Sequence, residues 1–160
     1  MTAYNFNFSK VTSQTVEDLT AIFGVSGVSA DAEKVEAYSR DEVAPHLLDK
    51  KYTADAVCFA ENTEQISALM KYACLHRIPV TPRGAGTGLS GGAVPAYRGI
   101  ELSLERMNRI LELDLDNLTI TVEPGVVTSE INKAAAEKHL LYAGDPCSGD
   151  VSFIGGNVAE

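Results

Sequence analysis

Pro79-Val80-Thr81-Pro82-Arg83-Gly84-Ala85-Gly86-Thr87-Gly88-Leu89-Ser90-Gly91-Gly92-Ala93-Val94-Pro95 is the stretch whose reading decides the fold. Gly84, Gly86, Gly88, Gly91 and Gly92 crowd into it, and each loses more backbone entropy on folding than any other residue while packing no side chain. A compensating interaction is required. Glycine permits positive φ and lets main-chain N–H groups approach a ligand closely, so such a loop can wrap an anion in amide donors. A nucleotide pyrophosphate suits that arrangement.

Other readings of the loop fail on context. A flexible linker lacks the β-branched run before the glycines and the strand pattern after them. Gly86-x-Gly88-x-x-Gly91 matches the dinucleotide fingerprint in spacing, but that fingerprint opens a helix, and Gly92, Pro95 and Gly99 follow too soon. A P-loop needs Lys-Ser or Lys-Thr after its last glycine, and none follows. Gly88-x-Ser90-x-Gly92 imitates a nucleophile elbow, yet no strand-to-helix turn and no base accompany it. The loop therefore reads as a link between two strands that holds a diphosphate through backbone amides, with Arg83 as the cation at its mouth.

Around the loop, Ala56–Ala60 suits a buried strand, and Asn62 caps a helix with Ile66, Leu69, Met70 and Ala73 on one face, ending near Arg77. Ile78–Pro82 follows as a strand held short or at an edge by Pro79 and Pro82. Strand, helix, strand suggests a small parallel βαβ unit, with the loop at the strand C-terminus where ligands of such sheets sit. Ile100–Leu104 and Ile110–Asp114 alternate with period two, and Leu118–Val122 is β-branched from Thr119 on; Asp114–Asn117 supplies the turn of a hairpin. Thr128 caps a helix to about Lys138, and Leu140–Ala143 reads as a last strand before a second small-residue loop at Gly144–Asp150. Upstream, helices are expected from Thr15 to Phe23 and from Ala30 to Tyr38, capped by Thr15 and Ser29. The expected fold is α+β, a small parallel βαβ unit beside a mixed or antiparallel sheet, with residues 1–50 as a helical lead-in and 51–160 as the main domain. The sequence stops within Gly155-Gly156-Asn157-Val158-Ala159-Glu160, where an element begins, so a shortened polypeptide is expected.

Composition narrows the partners. Thirteen basic against twenty-two acidic side chains give a net charge of −9, which disfavours nucleic acid. One small anion is still compatible, held by amides and an arginine. Cys58, Cys74 and Cys147 are odd in number and without Cys-x-x-Cys spacing, arguing against a disulfide framework or a thiolate metal site. With no leader pattern and no apolar run of membrane-spanning length, the chain reads as cytoplasmic. His46, His76 and His139 pair with no nearby carboxylate at metal-ligand spacing, and Asp114 and Asp116 read as a solvated turn.

The motifs Tyr38-Ser39-Arg40-Asp41, Pro82–Ala93, Met107-Asn108-Arg109-Ile110, Val122-Glu123-Pro124-Gly125-Val126 and Ile154–Glu160, in this order, resemble the flavin-linked oxidases, the family of vanillyl-alcohol oxidase and p-cresol methylhydroxylase (PCMH). The branch resembled contains glycolate oxidase FAD subunits and D-lactate dehydrogenases. That resemblance implies the N-terminal half of a PCMH-type FAD-binding domain and oxidation of a 2-hydroxy acid to the 2-keto acid, with partner redox subunits as possible companions. It assigns Pro82, Arg83, Gly84, Ala85, Gly86, Thr87, Gly88, Leu89 and Ser90 to the FAD pyrophosphate loop and sets Pro124 and Gly125 at the cofactor's border. Asp145, Pro146, Ser148, Gly155, Gly156 and Asn157 form its second wall. Relatives with a covalent flavin commonly carry a histidine where Thr87 stands, which implies noncovalent FAD here. The family's catalytic and metal-binding residues lie further on, so no catalytic residue is assigned. A catalytically silent nucleotide-binding or assembly module is the alternative of a different class.

Overall fold

A computed structural model describes residues 7–159 of the chain; the readings that touch the first six residues and Glu160 lie outside it. Helix α1 (Ser13–Phe23) is followed by strand β1 (Val28–Ser29), helix α2 (Ala32–Tyr38), strand β2 (Ala56–Phe59), helix α3 (Thr63–His76), strand β3 (Val80–Arg83) and strand β4 (Ile100–Ser103). The hairpin β5 (Ile110–Asp114) and β6 (Thr119–Val122), helix α4 (Thr128–Ala136) and helix α5 (Ile154–Ala159) complete the order. The architecture is mixed α+β: a four-stranded sheet in the order β1-β2-β4-β3, parallel except for β1, and a separate antiparallel pair β5-β6.

Strand β4 lies between β2 and β3, so the expected βαβ unit is present but its two strands do not touch. β3 lies at one edge of the sheet, as Pro82 requires, because proline has no N–H for a second neighbour. The parallel pairing of β3 with β4 has a further consequence. The chain must travel back along the sheet between Arg83 and Ile100, and a crossover of this kind normally uses a helix. Here the glycine-rich segment makes the return without one. It closes at Gly99, where φ is 77° and a Cβ would stand 2.3 Å from the Pro79 carbonyl oxygen, so no other residue fits without moving backbone.

One face of the sheet packs on α1 and α3, in a core of Leu19, Phe23, Cys58, Leu69, Ile78, Ile100, Leu102 and Met107. Burial pushes the Cys58 thiol up to about 12, leaving it inert. The opposite face carries Val57 and Phe59 against Val35, Ala54 and Tyr38. β1 was not legible, yet its two residues pair with β2 and tie the lead-in to the sheet.

Several local expectations are corrected. α1 is capped by Thr12 in a reciprocal box with Thr15, and α2 by Asp31, whose carboxylate accepts from the Lys34 N–H at 2.9 Å; each cap lies away from the residue read from sequence because a side-chain acceptor three residues before the free amide decides the start. Thr128 begins α4 instead of capping it, its hydroxyl being engaged with the Ser152 carbonyl, and the helix ends at Ala136. No strand forms at Leu140–Ala143: Leu141 is 83% exposed and no strand among the described residues pairs with it. β4 alternates in sequence, but all four of its residues are buried because both faces are covered.

Leu19 is wholly buried against the sheet. Replacing it with alanine is expected to destabilise the chain by about 2–5 kcal/mol in urea unfolding. A loss under about 1 kcal/mol would show that α1 is not integral to the core.

Candidate anion and nucleotide site

The glycine segment leaves the C-terminal end of β3 as an irregular, half-buried loop. Gly86 (φ 77°) and Gly91 (φ 81°) occupy the left-handed region. Among the described residues, no acceptor within the chain meets the backbone N–H of any residue from Gly84 to Gly92. Backbone donors half out of water and without partners in the chain are free to take up water or an anion.

The loop is held from two sides. On one, Arg83 donates to the Arg40 carbonyl, and its guanidinium stands 5.5 Å from the centre of the Tyr38 ring. The Glu42 N–H donates to the Gly88 carbonyl at 3.0 Å, stapling segment 39–44 to the loop. The guanidinium also occupies the space a Gly86 side chain would take: a Cβ there would come within 2.1 Å of Nη2. On the other side, Phe153 packs against Gly84, at 3.8 Å from the position of its missing Cβ.

Tyr38 anchors this arrangement. Its hydroxyl donates to the Glu105 carboxylate at 2.9 and 3.1 Å, and its ring meets Phe59 edge-on at 5.2 Å. Burial and then the Glu105 hydrogen bond push its pKa up to about 12, so it stays a donor at physiological pH. Ser39 bridges α2 to the start of β2, donating to the Val35 carbonyl and accepting from the Ala54 N–H.

The remaining residues assigned from sequence fall into two groups. Pro124, Gly125 and Gly155 are brought together: the Gly155 N–H donates to the Pro124 carbonyl at 2.9 Å, and a Cβ on Gly155 would lie 2.7 Å from the Pro124 Cβ. Gly125 is pressed against the Leu104 and Met107 carbonyls, where a Cβ would stand at 2.3 and 2.8 Å. These glycines serve close backbone packing. Asn157 points inward, donating to Thr128 Oγ1 at 2.5 Å and Ser152 Oγ at 3.1 Å, and Gly156 is exposed with open space around its Cα. Asp145 is exposed, while Pro146 and Ser148 build the tight turn that leads to Ser152, their carbonyls accepting from Gly149, Val151 and Ser152. Among the described residues no hydrogen bond joins this turn to the glycine loop.

Sequence reasoning missed Glu101. It sits wholly buried on β4, and neither carboxyl oxygen has a hydrogen-bond partner among the described residues. Burial pushes its pKa from 4.5 up to about 8; Arg83 pulls it down and Asp41 pushes it up. In sequence it merely alternates with Ile100 and Leu102, and the groups acting on it, Arg83 and Asp41, come from distant parts of the chain. Elsewhere, Asp114 accepts from the Asp116 and Asn117 amides as a solvated turn. His76 stacks on Tyr72 at the end of α3, and no cluster of metal-ligating side chains occurs among the described residues.

Comparison with known proteins matches residues 54–160 to a family model described as an FAD binding domain. The chain is 46% identical over 106 residues to the glycolate oxidase subunit GlcD of Bacillus subtilis (strain 168), covering 66% of this chain and 23% of that protein. It is 35% identical over 159 residues to a D-lactate dehydrogenase of Anaerostipes hadrus, covering 99% of this chain and 32% of the relative. The chain thus spans about a quarter to a third of the length of these relatives. The structure of p-cresol methylhydroxylase with substrate bound superposes with a TM-score of 0.75 at 23% identity, covering 88% of this chain and 28% of that one, which shows a shared fold.

The raised pKa of Glu101 has a stability consequence. The folded chain holds that proton more tightly than the unfolded one, so its contribution to stability is complete below pH 4.5 and is lost as pH rises through about 8. Between these values the Glu101→Gln variant should lose on the order of 1 kcal/mol per pH unit less than the parent in denaturant titrations. Parallel pH profiles would show that the carboxyl is solvated.

Proposed function

This chain belongs to the FAD-binding domain family, with FAD as cofactor, and on that premise we propose that it is the cofactor-holding part of an oxidoreductase that converts a 2-hydroxy acid of the glycolate or D-lactate type to the 2-keto acid. The observation that carries this reading is the run of unpartnered amides from Gly84 to Gly92. It fits a diphosphate because the loop offers donors in series, has no side chain at Gly86 or Gly91 to block approach, and carries one guanidinium at its mouth.

In this proposal Pro82 and Arg83 end β3 at the rim, and the amides of Gly84, Ala85, Gly86, Thr87, Gly88, Leu89 and Ser90 receive the diphosphate. Pro124 and Gly125, fixed against the Leu104 and Met107 carbonyls, border the cofactor with Gly155 and Gly156. Asn157 acts indirectly, orienting α5 through Thr128 and Ser152. Asp145, Pro146 and Ser148 supply a second wall further along the cofactor. Attachment is noncovalent, supported by threonine at position 87 within the loop. When bound, the flavin supplies the two-electron acceptor for the substrate. This stretch orients and holds it, and no catalytic residue is assigned to it.

Partner redox subunits are part of the proposal, supported by the naming of one relative as a subunit. A cytoplasmic location is supported by three free cysteines, two of them exposed. No helix among the described residues is long and apolar enough to cross a membrane.

The purified chain mixed with FAD and desalted should retain flavin absorbance. Gly86→Glu should lower affinity at least about 100-fold, because it sets a carboxylate against the diphosphate at a left-handed position already filled by the Arg83 guanidinium. Unchanged affinity in this variant, with circular dichroism like the parent's, would refute the loop assignment. Bleaching of the retained flavin by D-lactate or glycolate under anaerobic conditions, in the protein carrying this domain, tests the substrate class.

A further inference from the structure

We propose that Glu101 is a positioning residue for Arg83: its buried, unpartnered carboxyl, on the same sheet face as Arg83 and beneath the segment that staples the loop, governs how much of the guanidinium's charge is available to the diphosphate. The inference rests on the reading of Gly84–Gly92 as the FAD diphosphate cradle. Three observations converge on it. In the β3-β4 register Thr81 pairs with Glu101 and Arg83 with Ser103, so strand alternation puts all four on one face. Both Glu101 oxygens and Asp41 Oδ2 are buried without a partner among the described residues. Among the described residues Arg83 is the cation that acts on Glu101, and it is also the residue that donates to Arg40 and lies against Gly86.

A fully buried carboxyl without partners is costly in either protonation state and most costly when ionised. The groups around Glu101 are Arg83 from β3, Asp41 from segment 39–44, the apolar Val57 of β2 and, further along the same face, Tyr38 of α2 bonded to Glu105. Lys34 and Arg106 are engaged over the Phe59 ring, and Arg106 also pairs with Glu61. With Glu101 neutral, Arg83 and Asp41 sum to zero beneath the loop, and the guanidinium is free to meet a phosphate. With Glu101 ionised the same patch carries one net negative charge and the carboxylate competes for the guanidinium. The diphosphate is a dianion, so its binding is coupled to proton retention at Glu101, and by linkage bound FAD raises the proton affinity of that carboxyl.

The test is FAD affinity of the chain between pH 6.5 and 9, by quenching of flavin fluorescence. The parent should bind about tenfold more weakly at the upper end, whereas Glu101→Gln should hold its pH 6.5 affinity throughout, within about twofold. Arg83→Gln should bind more weakly at every pH and lose the pH dependence, since the carboxyl acts through the guanidinium. Should Glu101→Gln fail to fold, calorimetry on the parent at pH 8 in buffers of different ionisation enthalpy should show uptake of a fraction of a proton on binding. A parent that binds FAD with a flat profile and no proton uptake overturns this inference alone. Persistence of the pH dependence in Arg83→Gln overturns it too, because the carboxyl would then act on the diphosphate directly. A parent that binds no FAD at pH 6.5 overturns the cradle reading, and the present inference falls with it.

Discussion

A series of backbone amides that no carbonyl among the described residues accepts from is the constraint around which this structure is arranged. Regular secondary structure exists largely to satisfy such groups, and a crossover between parallel neighbours would ordinarily do so as a helix. Between β3 and β4 the chain forgoes that solution. The return segment is anchored at both ends, where the Leu104 N–H donates to the Arg83 carbonyl at 3.0 Å and the Ile100 N–H to the Pro79 carbonyl at 2.8 Å. Its interior is left with donors to spare. Glycine is what makes the geometry possible, and in the proposed reading an anion is the guest that compensates for it.

Holding such a segment in one shape requires contacts from outside it, and these come from residues far away in sequence. Segment 39–44 contributes the Arg40 carbonyl and the Glu42 N–H, and is itself fixed by Ser39 and by Tyr38 packed on Phe59. Phe153 closes on Gly84 from the opposite direction, placed there by the pairing of Val127 with Phe153 and by the Thr128, Ser152 and Asn157 hydrogen bonds. The lead-in and the last helix are thus supports for one loop, which explains why motifs at both extremes of the chain accompany the glycines.

Much of this was legible in sequence where a local rule decides. The Asn62 cap, the β5-β6 hairpin and the edge position of β3 follow from side-chain chemistry within a few residues, whereas the α3 stripe holds in part: Leu69 and Ala73 are buried and Ile66 packs on the core, but Met70 is 47% exposed. What escaped depends on tertiary cover. β1 is two residues long and exists because β2 offers an edge. Leu140–Ala143 has a strand's composition but no partner, and a strand without a partner is a loop. The glycines at 84–92 could be read directly, because five of them together have few explanations. Those at 125 and 155 let carbonyls and Pro124 approach closely, a packing role that local sequence does not announce and that is compatible with the proposed place beside the cofactor. Glu101 was hidden by its own pattern: an acidic residue between Ile100 and Leu102 describes a half-exposed strand unless something distant buries it.

That buried acid also clarifies how a chain with a net charge of −9 can receive a dianion. Long-range attraction works against binding, so the proposed recognition is local, through backbone dipoles and the Arg83 guanidinium. In such a site the charge state of one neighbour matters more than the sum over the molecule. A hydrophobic residue at position 101 would fill the same space without leaving two oxygens unpaired, and exchanges of buried ionisable groups for apolar ones are often neutral or stabilising. The glutamate therefore has no packing rationale between Val57 and Thr81, its partners across the sheet. Its position beside the cation that guards the loop gives it an electrostatic one.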